Sequence, residues 1–259
     1  MLELTKKINW FLISQLGINL PLFSRSLIGL PKFVRDLFLF RRQYKGPMRI
    51  TPCLADYNQE GGSIKSEYFW QDLFVAQKVF LANPQIHVDI GSRIDSFVAH
   101  IASFREIEVF DIRDVTSKIP GVKFRQADFM NSTSLVANYC DSLSCLHALE
   151  HFGLGRYGDP LDANGFIKGL ENMAHLLKLD GAFYLSLPIG VEMVEFNAHR
   201  VFNPIKLWNL AQENKLQLEE FAWIDSRNTI NISTHHANDM KYLMSQPYNL
   251  GVFTFKKII

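Results

Sequence analysis

A chain of 259 residues, 47% hydrophobic and 13% aromatic, is long and apolar enough to bury a full core as one sizeable domain or as one domain with an appendage. Its 27 Lys and Arg offset 26 Asp and Glu, so no basic field marks nucleic acid as a partner. Cys53, Cys140 and Cys145 form neither a C-x-x-C pair nor an even-numbered framework, which argues against a disulfide scaffold and for a reducing, cytoplasmic setting.

Residues 1–50 read as a helical, basic and amphipathic extension, and residues 51–259 as the main domain. "INWFLISQLGINLPLF" is apolar, but Gly17 and Pro21 interrupt it, so it is too short and broken to span a bilayer as one helix. No small-residue cleavage site follows it, so a secretory signal is not expected. Large apolar side chains then alternate with Arg25, Lys32, Arg35, Arg41, Arg42 and Lys45. That mixture suits helices covering the protein's own core, or residues 1–45 making peripheral contact with the inner face of a membrane.

"YFWQDLFVAQKVF" (68–80) predicts a helix whose Tyr68, Trp70 and Gln71 either cover a ligand or pack into the core. "IHVDIG" (86–91) predicts a buried strand, "SFVAHIASF" (96–104) a helix and "EIEVFD" (106–111) a second strand. "VKFRQAD" (122–128), "DSLSCLH" (141–147) and "GAFYLSLP" (181–188) follow as strands, with an amphipathic helix over 166–178. "LQLEEFAWID" (216–225) and "GVFTFKKI" (251–258), with a polar connection over 226–249 and no helix expected between them, suit an antiparallel final pair. The whole predicts an α/β, Rossmann-like doubly wound sheet.

In such a sheet ligands bind outside the carboxyl ends of the strands. Asp89 and Gly91 end the first strand, Asp111 the second and Asp128 the third. A carboxylate closing the second strand can accept both hydroxyls of a ribose, and a glycine after the first lets backbone approach a cofactor. Aspartates also favour strand ends for their own turn chemistry; the ordered set of three favours an adenosine site. The first turn reads "GSRIDS", so the G-x-G-x-x-G of dinucleotide binding is absent.

"SCLHALEHFGLGRYGDP" (144–160) contains H-x-x-E-H, a zinc-peptidase signature when it lies on a sustained helix. Gly153 and Gly155 break any helix here almost at once. A zinc hydrolase is therefore the remote reading, no metal is expected, and His147, Glu150 and His151 read as part of a catalytic rim.

A first strand ending D-x-G, an acid closing the second, an aspartate after the third, "LEH" after the fourth and an antiparallel tail together resemble class I S-adenosylmethionine-dependent methyltransferases. Where those enzymes usually carry more glycine, this turn has Arg93 and Asp95. "HVDIGSRIDSFVAHIASFREIEVFDIR", "DSLSCLHALEHFGLGRYGDP" and "PIGVEMVEFNAHRVF" further resemble an uncharacterised family, domain of unknown function 268, over about residues 50–225. The resemblance implies S-adenosylmethionine as cofactor, held by Asp89, Gly91, Ser92, Arg93, Asp111 and Asp128. It also implies an association with bacterial surface-polysaccharide gene sets.

Methyl transfer to a hydroxyl needs a base near its unperturbed pKa. His151 is the first candidate and His199 the second, with Glu150 and His147 beside them; each histidine reads equally as a hydrogen-bonded fixture of its loop. Arg156, Tyr157, Asp159, Asn197 and Arg200 are groups suited to a polyhydroxylated or phosphorylated acceptor, such as a sugar, sugar nucleotide or other small molecule. An ion pair stapling a glycine-rich loop explains several of them as well. The rival expectation is a non-catalytic binding or scaffolding protein using the same rim. Oligomeric state is not legible.

Overall fold

Two helices open the chain in the computed structural model, which describes residues 2–58, 62, 64–131 and 136–258: α1 (Leu2–Leu16) and α2 (Leu20–Gln43). Asn19 starts α2 by accepting a hydrogen bond from Leu22 N at 2.9 Å, with Pro21 in the first turn where a missing N–H costs nothing. No single helix among the described residues is long and apolar enough to cross a membrane. Ile8–Leu16 and Leu20–Gln43 pass such a test only together, bent by 85°. The chain divides into two units, Met1–Ser63 and Ile64–Ile259.

The second unit starts with α3 (Glu67–Ala82), capped by Ser66, whose hydroxyl accepts from Tyr68 N, and stopped at Asn83 in a left-handed conformation. Then come β1 (His87–Ile90), a π-turn over Ile94–Val98 running into α4 (Ala99–Ala102), β2 (Ile107–Asp111), β3 (Val122–Gln126) and β4 (Cys140–Leu146). A single 3-10 turn (Leu149–His151) leads to α5 (Gly165–Leu176) and β5 (Leu177–Ile189). A hairpin of β6 (Met193–Glu195) and β7 (His199–Val201) precedes α6 (Pro204–Glu213). The chain finishes with β8 (Leu216–Ile224), β9 (Ile230–Ile232), α7 (His236–Leu243) and β10 (Asn249–Lys257).

The sheet order is β3-β2-β1-β4-β5-β10-β8-β9, parallel from β3 to β5, with β10 antiparallel to both β5 and β8. The expected doubly wound sheet with an antiparallel last strand is therefore present. Chain direction around the sheet reverses between β1 and β4, the position where a crevice opens at the carboxyl ends. β1 is buried along its whole length, and separate apolar clusters cover the two faces of the sheet, as a strand without alternation requires.

Two segments depart from the sequence reading. β5 begins at Leu177, inside the expected helix, because Leu177 is fully buried in register with Cys140. Residues 226–249 hold β9 and α7 rather than an unstructured polar connection. β9 adds three residues antiparallel to β8, and α7, polar on most of its surface, buries Met240 and Leu243.

Candidate active site at the carboxyl rim

The turn after β1 is fastened from within. Asp89 is fully buried and accepts from Ser92 N at 3.0 Å, Ser92 Oγ at 2.6 Å and Ser144 Oγ at 2.6 Å. Burial outweighs these donors and pushes its carboxyl up to about 7. Ser92 Oγ in turn accepts from Leu146 N, so Asp89 and Ser92 tie β1 to β4. Gly91 has φ 70°, and a Cβ there would press on Ala148, so the close pass of the two strand ends needs glycine.

Arg93 is exposed and paired with Asp95 at 2.7 Å; its guanidinium also lies over the Tyr68 ring. Asp111 closes β2 as expected, but Arg113 engages it from N, Nε and Nη2 at 2.8, 2.9 and 2.6 Å. Asp128 accepts from Met130 N at 2.9 Å.

After β4 the backbone turns through His147, at φ 53°, into the 3-10 turn. The H-x-x-E-H residues therefore do not share a helix, and among the described residues no group of three His, Cys, Asp or Glu is placed to hold a metal. His147 Nδ1 lies 2.8 Å from Glu150 Oε1, and its Nε2 lies 3.4 Å from Glu67 Oε1 on α3. Tyr248 completes the cluster by donating to Glu67 Oε1 at 2.6 Å, and the Tyr68 ring covers His147 at 4.5 Å. Burial alone would lower the His147 pKa, but the carboxylates of Glu150 and Glu67 hold it up at about 9. Glu150 is buried and its Oε2 has no hydrogen-bond partner among the described residues; burial works against its ionisation, yet His147 keeps it below the usual carboxylate range.

His151 is the opposite case. Burial lowers its pKa, Arg156 adds to that, and the nearby Glu150 only partly compensates. Its Nδ1 lies 2.7 Å from the Ala198 carbonyl, so the neutral ring donates there and leaves an Nε2 lone pair, 3.6 Å from Glu150 Oε1. Ala198 belongs to the turn between β6 and β7, which includes Asn197 at φ 60°, and His199 begins β7 in register with Glu195.

The expected acceptor groups separate into three kinds. Arg156 donates to the Ala198 carbonyl at 2.9 Å, and Tyr157 lies between the guanidinium groups of Arg113 and Arg156, at 4.5 and 5.2 Å. Asp159 accepts from Gly155 N and Tyr157 N and so shapes its own loop. Arg200 is an internal tie: it is buried and donates to the carbonyls of Glu150, Phe152 and Ala163, with its face over Phe166. Its burial lowers its pKa, while the three carbonyls satisfy the fork.

Glu67 and Tyr248 escaped the sequence reading. They line a cavity of about 400 Å³ together with Ser66, Tyr68, Asp225 and Asn228. The signal for Glu67 was its place directly after a helix-capping serine, at the open end of α3.

A family model described as "Caenorhabditis protein of unknown function, DUF268" matches residues 95–250, more than half of the chain. No curated protein matches it. Among solved structures, the Burkholderia thailandensis 1,6-didemethyltoxoflavin-N1-methyltransferase, with 1,6-didemethyltoxoflavin and S-adenosylhomocysteine bound, is 12% identical, with 89% of each chain covered and a TM-score of 0.52. The [4+2]-cyclase SpnF is 12% identical over 91% of this chain and 97% of its own, with a TM-score of 0.53. A putative sarcosine dimethylglycine methyltransferase from Galdieria sulphuraria is 14% identical over 72% and 85%, with a TM-score of 0.51. At these identities the likeness is one of fold, the class I methyltransferase type, and SpnF illustrates that a cyclase shares it.

Proposed function

We propose that this chain, which belongs to the DUF268 family, binds S-adenosylmethionine at the carboxyl ends of β1, β2 and β4 and methylates a hydroxyl of a glycan, sugar nucleotide or related small molecule. The observation that carries the reading is the divided pair of histidines after β4: His147 held charged between two carboxylates, His151 held neutral with a defined tautomer and a free lone pair. Environments that push two titratable groups apart mark acid and base roles.

The residues suit the cofactor in kind. Asp111 offers a carboxylate at the end of β2, held there by Arg113, and Gly91 at φ 70° keeps a side chain out of the first turn. When bound, the cofactor supplies an electrophilic methyl on a sulfonium. With the cofactor bound, His151 Nε2 would be placed to take the proton of the acceptor hydroxyl, the base that transfer of a sulfonium methyl to that oxygen requires. The Ala198 carbonyl stabilises the imidazolium that results. The cavity of Glu67, Asp225, Asn228 and Tyr248 presents carboxylates, an amide and a phenol, the groups that hold sugar hydroxyls. That chemistry, with a neighbour of the same fold that binds S-adenosylhomocysteine, supports the reading.

The test is transfer of label from methyl-tritiated S-adenosylmethionine to a panel of sugar nucleotides and glycosides. No transfer, together with no binding of S-adenosylhomocysteine at millimolar concentration, favours the binding-protein alternative, for which the Arg113 guanidinium on Asp111 speaks directly. Calorimetry with S-adenosylhomocysteine separates the two further. Asp111→Asn is expected to weaken binding by about 1.5–3 kcal/mol, the scale of hydrogen bonds to a charged group. Arg113→Ala, which frees the same carboxylate, is expected to tighten it. Unchanged affinity in both variants removes Asp111 from the cofactor site.

A further inference from the structure

We propose that the N-terminal unit is a peripheral binding site for anionic lipid, with α2 lying along the interface of one leaflet. At 3.6 residues per turn, Leu20, Phe23, Leu27, Leu30, Val34 and Phe38 form one stripe along α2, and each is between 42% and 68% exposed. The opposite side of the helix carries Gly29, which is buried where a Cβ would meet the Leu54 carbonyl, and Lys32, whose ammonium sits over the Tyr57 ring. The unit packs on itself at Gly29 and Lys32 and leaves the apolar stripe uncovered, with Leu22, Ile28, Leu39 and Phe40 exposed elsewhere around the helix.

Two observations decide what covers it. Residues 8–50 hold seven cations, Arg25, Lys32, Arg35, Arg41, Arg42, Lys45 and Arg49, all exposed, against the single carboxylate of Asp36, itself paired with Lys32 and Arg35. A second copy of the same surface would set cations against cations, whereas an anionic surface complements them. In α1, Ile8, Trp10, Phe11, Ile13 and Leu16 are exposed at positions that run around the helix rather than along one side. A rigid protein groove covers one side of a helix, whereas the headgroup–acyl boundary of a leaflet adapts to apolar side chains set at several angles. The 15 residues of α1 extend about 22 Å, short of the ~30 Å hydrocarbon core, so α1 alone does not span the bilayer.

The full chain is to be sedimented with vesicles of equal parts phosphatidylcholine and phosphatidylglycerol, and with vesicles of phosphatidylcholine alone. Binding to the mixed vesicles only, weakened by salt and reversed by alkaline carbonate, is expected. Arg41→Gln with Arg42→Gln, at two exposed positions, should lower the partition coefficient about 30-fold, at roughly 1 kcal/mol for each cation near the surface, with the far-ultraviolet circular dichroism unchanged. Phe23→Ser with Phe38→Ser should lower it at least about tenfold without changing the far-ultraviolet circular dichroism. Equal binding to both vesicle types, resistance to carbonate, or no binding alongside a dimer that the Phe23→Ser and Phe38→Ser pair dissociates would each overturn the proposal.

Discussion

His151→Ala is expected to lower methyl transfer by about two to four powers of ten, the range of general base catalysis, while S-adenosylhomocysteine affinity stays nearly intact. The Ala198 carbonyl at 2.7 Å fixes the proton on Nδ1, and burial with the neighbouring Arg156 keeps the ring neutral at physiological pH. The ring can thus accept a proton without first losing one. The wild-type rate should rise with pH through a value below the ordinary 6.5 of histidine and be flat by neutrality; in His151→Ala that acidic limb should disappear. A purely structural tie to Ala198 would give a variant of lower stability with the same pH profile. Full activity in His151→Ala on an identified acceptor moves the base assignment to His199 or Glu150.

The sheet was legible because its central strands are short apolar runs, β1 and β2 closing on aspartate or glycine, and burial on both faces demands that composition. β9 and α7 were not, because three residues of alternation and a helix that buries only Met240 and Leu243 carry too little pattern to rise above a polar background. The rim was legible in the same uneven way. Asp89, Asp111 and Asp128 were found from their strand ends, but an aspartate turned inward onto Ser92 and Ser144 reads the same in sequence as one turned to a ligand. Arg200 looked like a hand for an acceptor; only the fold brings three carbonyls to its fork. Glu67 and His147 lie 80 positions apart, and no local spacing announces a carboxylate that arrives from another helix.

His147→Ala is expected to destabilise the second unit by about 3–5 kcal/mol, because it leaves the Glu150 carboxylate buried without its cation. The wild-type pH dependence fixes the sign. His147 is held above its ordinary 6.5, at about 9, so its contribution is complete below pH 6.5 and is lost as the pH rises to about 9. Glu150 is held below its ordinary 4.5, so its contribution is present above that value and is lost as the pH falls through its depressed one. The contribution of the pair is therefore complete from about pH 4.5 to 6.5. In His147→Ala the alkaline loss should vanish and the acid side should reverse, since an unpartnered Glu150 protonates readily and the fold then gains stability as the pH drops. Thermal unfolding across this range reads all three effects. Adding Glu150→Gln to His147→Ala should recover much of the loss at neutral pH, as the buried charge goes with its partner. A wild type equally stable at pH 6 and pH 9, or a double variant no better than His147→Ala, would show that the charged pair at the end of β4 is not formed.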